Sequence, residues 1–322
     1  MVLFAIGLEE VRGKKKKKTD ESQHSSFLCK SSYLSFLFYM NLIILDMEWN
    51  QPFSRAHMIK KPVELIGEVI RIGAVKTDET MTDIAHFNMC VRPKFYKKMS
   101  FAVGKVTGLK SSSISYGVPF EQAYKAFMEW CGDDPVIFTW GTEDERIMRV
   151  NLAVNRMEDT FPECRDLQII YSRRIMRDFR QYSVMGAVEN LEIQQDLKAH
   201  DALNDAIYTY RIAKCIDIIK YLPEYPQIAA EIEAERERLK QERYHKSFTV
   251  KTDEDILHIR KITFCRCPEC RSNMERSMFI KVSEDTYTAD VKCETCGSFT
   301  VTLSIKDNGD ETLTVIRNFI KL

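Results

Sequence analysis

Three short acidic groups carry the chemistry that this sequence could perform. Asp46 and Glu48 lie two residues apart in Leu45-Asp46-Met47-Glu48-Trp49, at the end of an apolar run. On a strand that spacing points both carboxylates to one face, which suits a hard cation or, more simply, a solvated strand end. Glu143 and Asp144 follow Thr139-Trp140-Gly141-Thr142 and open a helical pattern. Gly141 allows a tight strand-to-helix turn, while first-turn acids are also favoured by the helix dipole alone. His200 stands five residues before Asp205 in His200-Asp201-Ala202-Leu203-Asn204-Asp205. Five helical residues leave the two roughly 140° apart around the axis, so they share no face in mid-helix. If Asp201 caps the helix, His200 sits in the preceding loop and can swing back over the site. The other histidines, His24, His57, His86, His245 and His258, have no comparable setting.

A second group is made of cysteines. Ten could indicate a secreted disulfide framework, but four fall in two C-x-x-C pairs and six are scattered. Cys267-Pro268-Glu269-Cys270 and Cys293-Glu294-Thr295-Cys296 are separated by 22 residues. Each pair can present two thiolates to one ion, and two such pairs give the tetrahedral four-thiolate coordination of one structural Zn²⁺. Two redox dithiols are the alternative, without the βαβ context of a thioredoxin-like motif. Cys265 is a spare thiol that could compete as a ligand. The pattern points to a reducing compartment, here taken as the cytoplasm.

The elements that must position these groups follow from periodicity and punctuation. Residues 41–45, 66–76, 84–91, 135–140 and 167–171 read as strands, and 120–131, 143–157 and 202–222 as helices, the last stopped at Pro223. Early strands followed by alternating helix and strand give an α/β domain with a mixed sheet. Residues 227–246 form a charged helical pattern rich in Glu and Arg. Beyond it, 299–305 and 312–319 read as strands joined by the hairpin signal Asp307-Asn308-Gly309-Asp310.

Taken in order, the motifs D-x-E at Asp46 and Glu48, W-G-x-x-D ending at Asp144, and H-x-x-x-x-D from His200 to Asp205 resemble the DEDDh family of 3′→5′ exonucleases, the RNase T and DNA polymerase III epsilon-like group. The likeness is greatest to the sporulation-inhibitor and histone-mRNA-exonuclease group. Ile70-Arg71-Ile72-Gly73-Ala74-Val75, Val106-Thr107-Gly108-Leu109 and Phe127-Met128-Glu129-Trp130 also look like segments of that family. The resemblance covers roughly 41–221. It implies a ribonuclease H-like fold, with Asp46, Glu48, Asp144 and Asp205 holding two Mg²⁺ or Mn²⁺ ions and His200 acting as general base. Trp49 stands where many members have Thr, a residue that helps seat the terminal nucleotide in relatives, so substrate preference is open.

Physical chemistry supports such a set. Two carboxylates about 4 Å apart repel by roughly 4 kcal/mol at an effective dielectric near 20. Four that converge therefore call for cations, and oxygen donors suit Mg²⁺ and Mn²⁺. Two such metals about 4 Å apart can drive an in-line displacement at phosphorus. A histidine of pKa near 6.5 can take the proton of an attacking water.

Composition bounds what else the chain can be. Lys and Arg total 47, as do Asp and Glu, which argues against a strongly basic protein that coats nucleic acid. Nothing reads as a membrane span. Residues 1–39 carry a five-lysine run at Lys14 to Lys18 and read as a disordered or mis-called extension, with Met40 a candidate start. Without them 40 basic residues face 43 acidic ones. The expected organisation is an exonuclease domain over 40–222, a charged helical linker over 223–258, and a small β-rich zinc ribbon over 259–322. That last module holds 10 basic and 9 acidic side chains from Arg260 onward. A four-thiolate zinc adds about −2, which weakens a nucleic-acid role for it and leaves protein docking or substrate gating equally open. Arg173, Arg177 and Arg180 would share a helix face if 173–182 is helical. They, and Lys94, Lys97 and Lys98, could contact phosphates or simply be solvated. The expected activity is release of nucleoside 5′-monophosphates from single-stranded RNA or DNA 3′ ends, with RNA preferred on the resemblance alone. The alternative is a regulatory or adaptor protein on an exonuclease scaffold, with a protein partner at the ribbon.

Overall fold

A computed structural model describes residues 41–252 and 255–322; the extension expected over 1–39 lies outside them. The chain divides into a unit ending at Tyr225 and a second, Pro226–Leu322.

The first unit is organised around β1 (Leu42–Asn50). With β2 (Glu68–Thr77), β3 (Asp83–Cys90), β4 (Val136–Thr139) and β5 (Arg165–Asp166) it forms a five-stranded sheet of order β3-β2-β1-β4-β5. β1 runs antiparallel to β2 and β2 to β3, whereas β4 and β5 run parallel to their neighbours. The mixed sheet is therefore as expected. β1 is longer than its apolar run because β2 pairs with it to the end, across an irregularity between Glu48 and Trp49. Asp46 and Glu48 thus lie within the strand.

One face of β1 sends Ile43, Leu45 and Met47 into a core shared with α2 (Phe120–Cys131) and α3 (Glu143–Val154). The buried residues of α2, Phe120, Ala123, Tyr124, Phe127 and Cys131, recur at helical spacing and make its inner stripe. Trp49 packs against the same core, with its ring over Gly67. The other face of the sheet is covered by α6 (Ala202–Cys215), which crosses β2 and β1. The unit also contains α1 (Phe101–Thr107), α4 (Leu167–Ile170) and α5 (Val184–Asn190).

Three expectations are corrected. The apolar segment 167–171 is not a strand. β5 ends at Asp166, whose carboxylate accepts the Gln168 N–H at 2.8 Å and caps α4. A short buried apolar run has no periodicity that tells strand from helix, and the cap decides it. The helix expected over 202–222 ends at Cys215, because Asp217 takes a left-handed backbone (φ 53°) that an α-helix cannot contain. The helical turns after α4 stop at Met176, and Arg177 is left-handed at φ 58°. Arg173, Arg177 and Arg180 therefore form no common helix face. Arg173 lies over the Phe179 ring and Arg180 pairs with Asp178.

In the second unit, α7 (Tyr225–Tyr244) is laced by ion pairs such as Arg238 with Glu235 and Glu242. A sheet of order β6-β11-β10-β9-β7 follows, with β8 (Ile280–Ser283) also on β9 (Thr286–Cys293). β10 (Gly297–Asp307) and β11 (Thr312–Lys321) form the expected hairpin. β7 is Glu275–Arg276, and β6 is His245–Lys251, paired antiparallel with β11. The segment 223–258 is therefore not a helical linker throughout. Phe248 and Val250 alternate inward in β6, joining a core with Leu303 and Val315.

Candidate active site and cysteine cluster

The pleat of β1 turns Asp46 and Glu48 to the sheet face that α6 covers. Their distance from α6 is set at Gly73, which pairs with Asp46 across the β1–β2 register. A Cβ at Gly73 would lie 2.2 Å from the backbone of Ala202 and Leu203, so only glycine lets the start of α6 lie this close to the sheet. Asp205, in the first turn of α6, is thereby carried over the strand. One carboxylate oxygen each from Asp46, Glu48 and Asp205 fall within 4.8 Å of one another.

Asp144 approaches from the other side. The turn from β4 into α3 passes Gly141, at φ 93°, whose N–H is held by the Asp166 carboxylate at 2.9 Å. Of the three first-turn acids, Glu143 is exposed and pairs with Arg146, Glu145 pairs with Arg149, and Asp144 is buried. Its Oδ1 accepts the Met47 N–H at 2.8 Å, between Asp46 and Glu48 along β1. Asp144 is thus beside the three clustered carboxylates but is not one of that group.

His200 lies in the loop before α6, because Asp201 is the cap and accepts the Asn204 N–H. The His200 backbone is left-handed (φ 63°), and its N–H donates to Asp205 Oδ2 at 2.9 Å. Its side chain is exposed. Arg71 was not singled out by sequence reasoning. It sits opposite Glu48 in the β1–β2 register, and its guanidinium pairs with Asp201 and donates to Asn88. One cation therefore ties β2 to the N-cap residue of α6 and faces the carboxylates.

Crowding governs the electrostatics. Burial and then the charge of Asp144 push the Asp46 carboxyl well above the usual range. Burial and the charge of Asp205 raise Glu48 to about 7, with Arg71 opposing. Burial raises Asp144 to about 7 against the Met47 N–H bond. Burial also raises Asp205, opposed by the His200 N–H and ring. A set of this kind disfavours full ionisation unless cationic charge is supplied.

Asp166 and Asn151 also escaped sequence reasoning. Asn151 accepts the Val69 N–H and donates to Gly67 O, fixing α3 to β2. Neither residue belongs to a motif; both are polar side chains buried among main-chain groups.

In the second unit, Cys267, Cys270, Cys293 and Cys296 bring their sulfurs within 4.8 Å of one another. Cys270 Sγ lies 3.5 Å from Cys293 Sγ. Cys265 is outside this group, with its thiol directed to Thr263 O. The first C-x-x-C pair is in a loop and the second spans the β9–β10 turn, a β-rich setting that fits a zinc ribbon.

No curated protein matches the chain. Among solved structures, the nuclease domain of 3′hExo, a DEDDh family member, bound to rAMP, is similar at 19% identity, covering 58% of this chain and 94% of that one, with a TM-score of 0.48. The Mg²⁺- and Mn²⁺-bound form of S. pombe Pop2p is similar at 13% identity, covering 63% and 92%, with a TM-score of 0.41. The zinc-bound form of the E. coli ExoI–ssDNA complex is similar at 12% identity, covering 78% and 54%, with a TM-score of 0.44. Residues 64–213 match the RNase_T family, described as Exonuclease; the match begins after Asp46 and Glu48 and ends beyond Asp205. The mixed sheet with flanking helices is the ribonuclease H-like exonuclease fold, and the match to the exonuclease model over 64–213 supports a nuclease hydrolase.

Proposed function

We propose that the chain is a metal-dependent 3′→5′ exonuclease that shortens single-stranded RNA, and DNA less readily, releasing nucleoside 5′-monophosphates. The observation that carries this reading is the convergence of Asp46, Glu48 and Asp205 to within 4.8 Å, with buried Asp144 beside them. The donors are all carboxylate oxygens, a set that fits Mg²⁺ or Mn²⁺. Asp46, Glu48, Asp144 and Asp205 would hold two such ions. When bound, they supply Lewis-acid polarisation of the scissile phosphate and a more acidic water.

The remaining chemistry belongs to the chain. His200 takes the proton of the attacking water on a ring nitrogen. Its left-handed backbone is a strain that the Asp205 carboxylate holds in place, and strain of this kind clusters at functional sites. Arg71 and Asp201 fix the start of α6, and with it His200 and Asp205. One Zn²⁺ held by Cys267, Cys270, Cys293 and Cys296 supports the second unit.

Equimolar RNA and DNA strands of one sequence, both 5′-labelled, test the reading. In Mn²⁺ both shorten from the 3′ end, RNA faster, and chromatography finds nucleoside 5′-monophosphates. Intact strands, internal cuts or 3′-monophosphate products contradict it.

A further inference from the structure

A cleft of about 760 Å³ is lined only by residues of the second unit. Arg243, Lys246, Lys261, Arg266, Arg271 and Arg317 line it. Two anionic groups also line it: Glu242, whose carboxylate is engaged by Arg238, and the Cys267 thiolate, whose charge is shared with the zinc it would hold. The balanced charge of the module as a whole hides this concentration of cations.

Arg317 is built into the cleft rather than draped over it. It is 8% exposed. Its Nη1 donates to Ile262 O at 2.8 Å and Phe264 O at 3.0 Å, while its Nε is buried without a hydrogen-bond partner. Burial pulls its pKa down, with the Cys265 thiol the opposing influence. Lys246 stands directly opposite it in the β6–β11 register. Like charges opposed across an antiparallel pair destabilise a sheet, and a buried guanidinium lacking a counter-charge adds to that cost. An anion in the cleft removes both penalties. Beside these cations, the ring of Phe264 is 38% exposed, with the Arg260 and Arg266 guanidiniums 5.4 and 5.8 Å from its centroid.

We propose that this cleft binds the phosphodiester backbone of single-stranded nucleic acid, with Arg317 and Lys246 receiving one phosphate, Lys261, Arg266 and Arg271 receiving its neighbours along the strand, and Phe264 offering a base-stacking face. A cationic groove with an aromatic platform is the general means of holding a single strand without reading its sequence. The choice of nucleic acid over an acidic peptide rests on the nuclease reading above and on Phe264.

The test uses the full chain with its zinc retained and no added Mg²⁺ or Mn²⁺. Binding of a labelled single strand of about 16 nucleotides is followed against salt. The combined variant Lys261→Ala, Arg266→Ala, Arg271→Ala changes only exposed side chains. It is expected to bind at least about 10-fold more weakly and to flatten the log–log salt slope by about 2, at about 0.7 per lost phosphate contact. Phe264→Ala is expected to weaken the strand but not a polyglutamate competitor. Dinucleotide hydrolysis in Mn²⁺ reads the carboxylate site separately and stays unchanged in both variants. Wild-type strand affinity and salt slope in the triple variant, with the dinucleotide still cleaved, overturn the cleft and leave the nuclease reading standing. Weakened binding with no dinucleotide cleavage by any form supports the cleft and removes the nuclease reading. Polyglutamate binding more tightly than the strand, with equal loss in the triple variant, overturns the nucleic-acid assignment in favour of an acidic peptide.

Discussion

At the residue scale the site is a balance of charge. Glu48 titrates near 4.5 when unfolded and about 7 in the fold, and Asp144 near 3.8 and about 7. A carboxyl raised by folding binds its proton more tightly folded than unfolded, so its contribution to stability falls as pH rises through that window. Without added divalent cation, the melting temperature should therefore drop between about pH 4.5 and 7. Glu48→Gln should flatten the drop, and Mn²⁺ should raise the melting temperature more at the upper end. Calorimetry checks this; a Glu48→Gln profile as steep as wild type contradicts it. His200→Gln should lower kcat by about 10²- to 10⁴-fold while leaving Mn²⁺ affinity nearly unchanged, as steady-state kinetics beside a Mn²⁺ titration would show. The acids and His200 were legible because their types and order form a pattern along the chain. Arg71, Asn151 and Asp166 were not, because each acts through a main-chain or side-chain partner distant in sequence, and nothing local links Arg71 to Asp201, 130 positions on.

At the scale of elements, the carboxylates meet because α6 lies on β2 at Gly73. Gly73→Val should cost at least about 3 kcal/mol, since the obstruction is helix backbone rather than a movable side chain. Where the variant folds, it should bind Mn²⁺ more weakly, as Asp205 is lifted from Asp46. Urea unfolding with a Mn²⁺ titration checks both, and unchanged values would show that the close approach is not what sets the site. Long segments with clear periodicity, such as α2, were read correctly from sequence. The short segment 167–171 was not, because Asp166 capping, rather than hydrophobic pattern, turns it into a helix. β6 was missed for a related reason: one buried residue, Val250, in an otherwise exposed or half-exposed strand gives little alternation to read.

For the whole molecule, the sequence reading places boundaries at 222/223 and 258/259, and the chain divides into two compact units at Tyr225 and Pro226, close to the first. The second is crossed by β6, which completes the second sheet by pairing with β11, a partner some sixty to seventy positions away. Zinc analysis of the native chain should find one ion, lost in Cys270→Ser, with unfolding of the second unit by proteolysis. A zinc-free native chain with an intact second unit would contradict the ribbon.

The central claim is that the converging carboxylates make a metal-dependent nuclease that works from the 3′ end. Its most direct test is a time course on 5′-labelled single-stranded RNA with Mn²⁺, with EDTA, and with Asp46→Asn. We expect a ladder that shortens stepwise from the 3′ end, abolished by EDTA and slowed at least about 10³-fold by the substitution, the loss of several kcal/mol of charge stabilisation. A ladder that persists in Asp46→Asn, or a strand that stays intact with every metal, would contradict it.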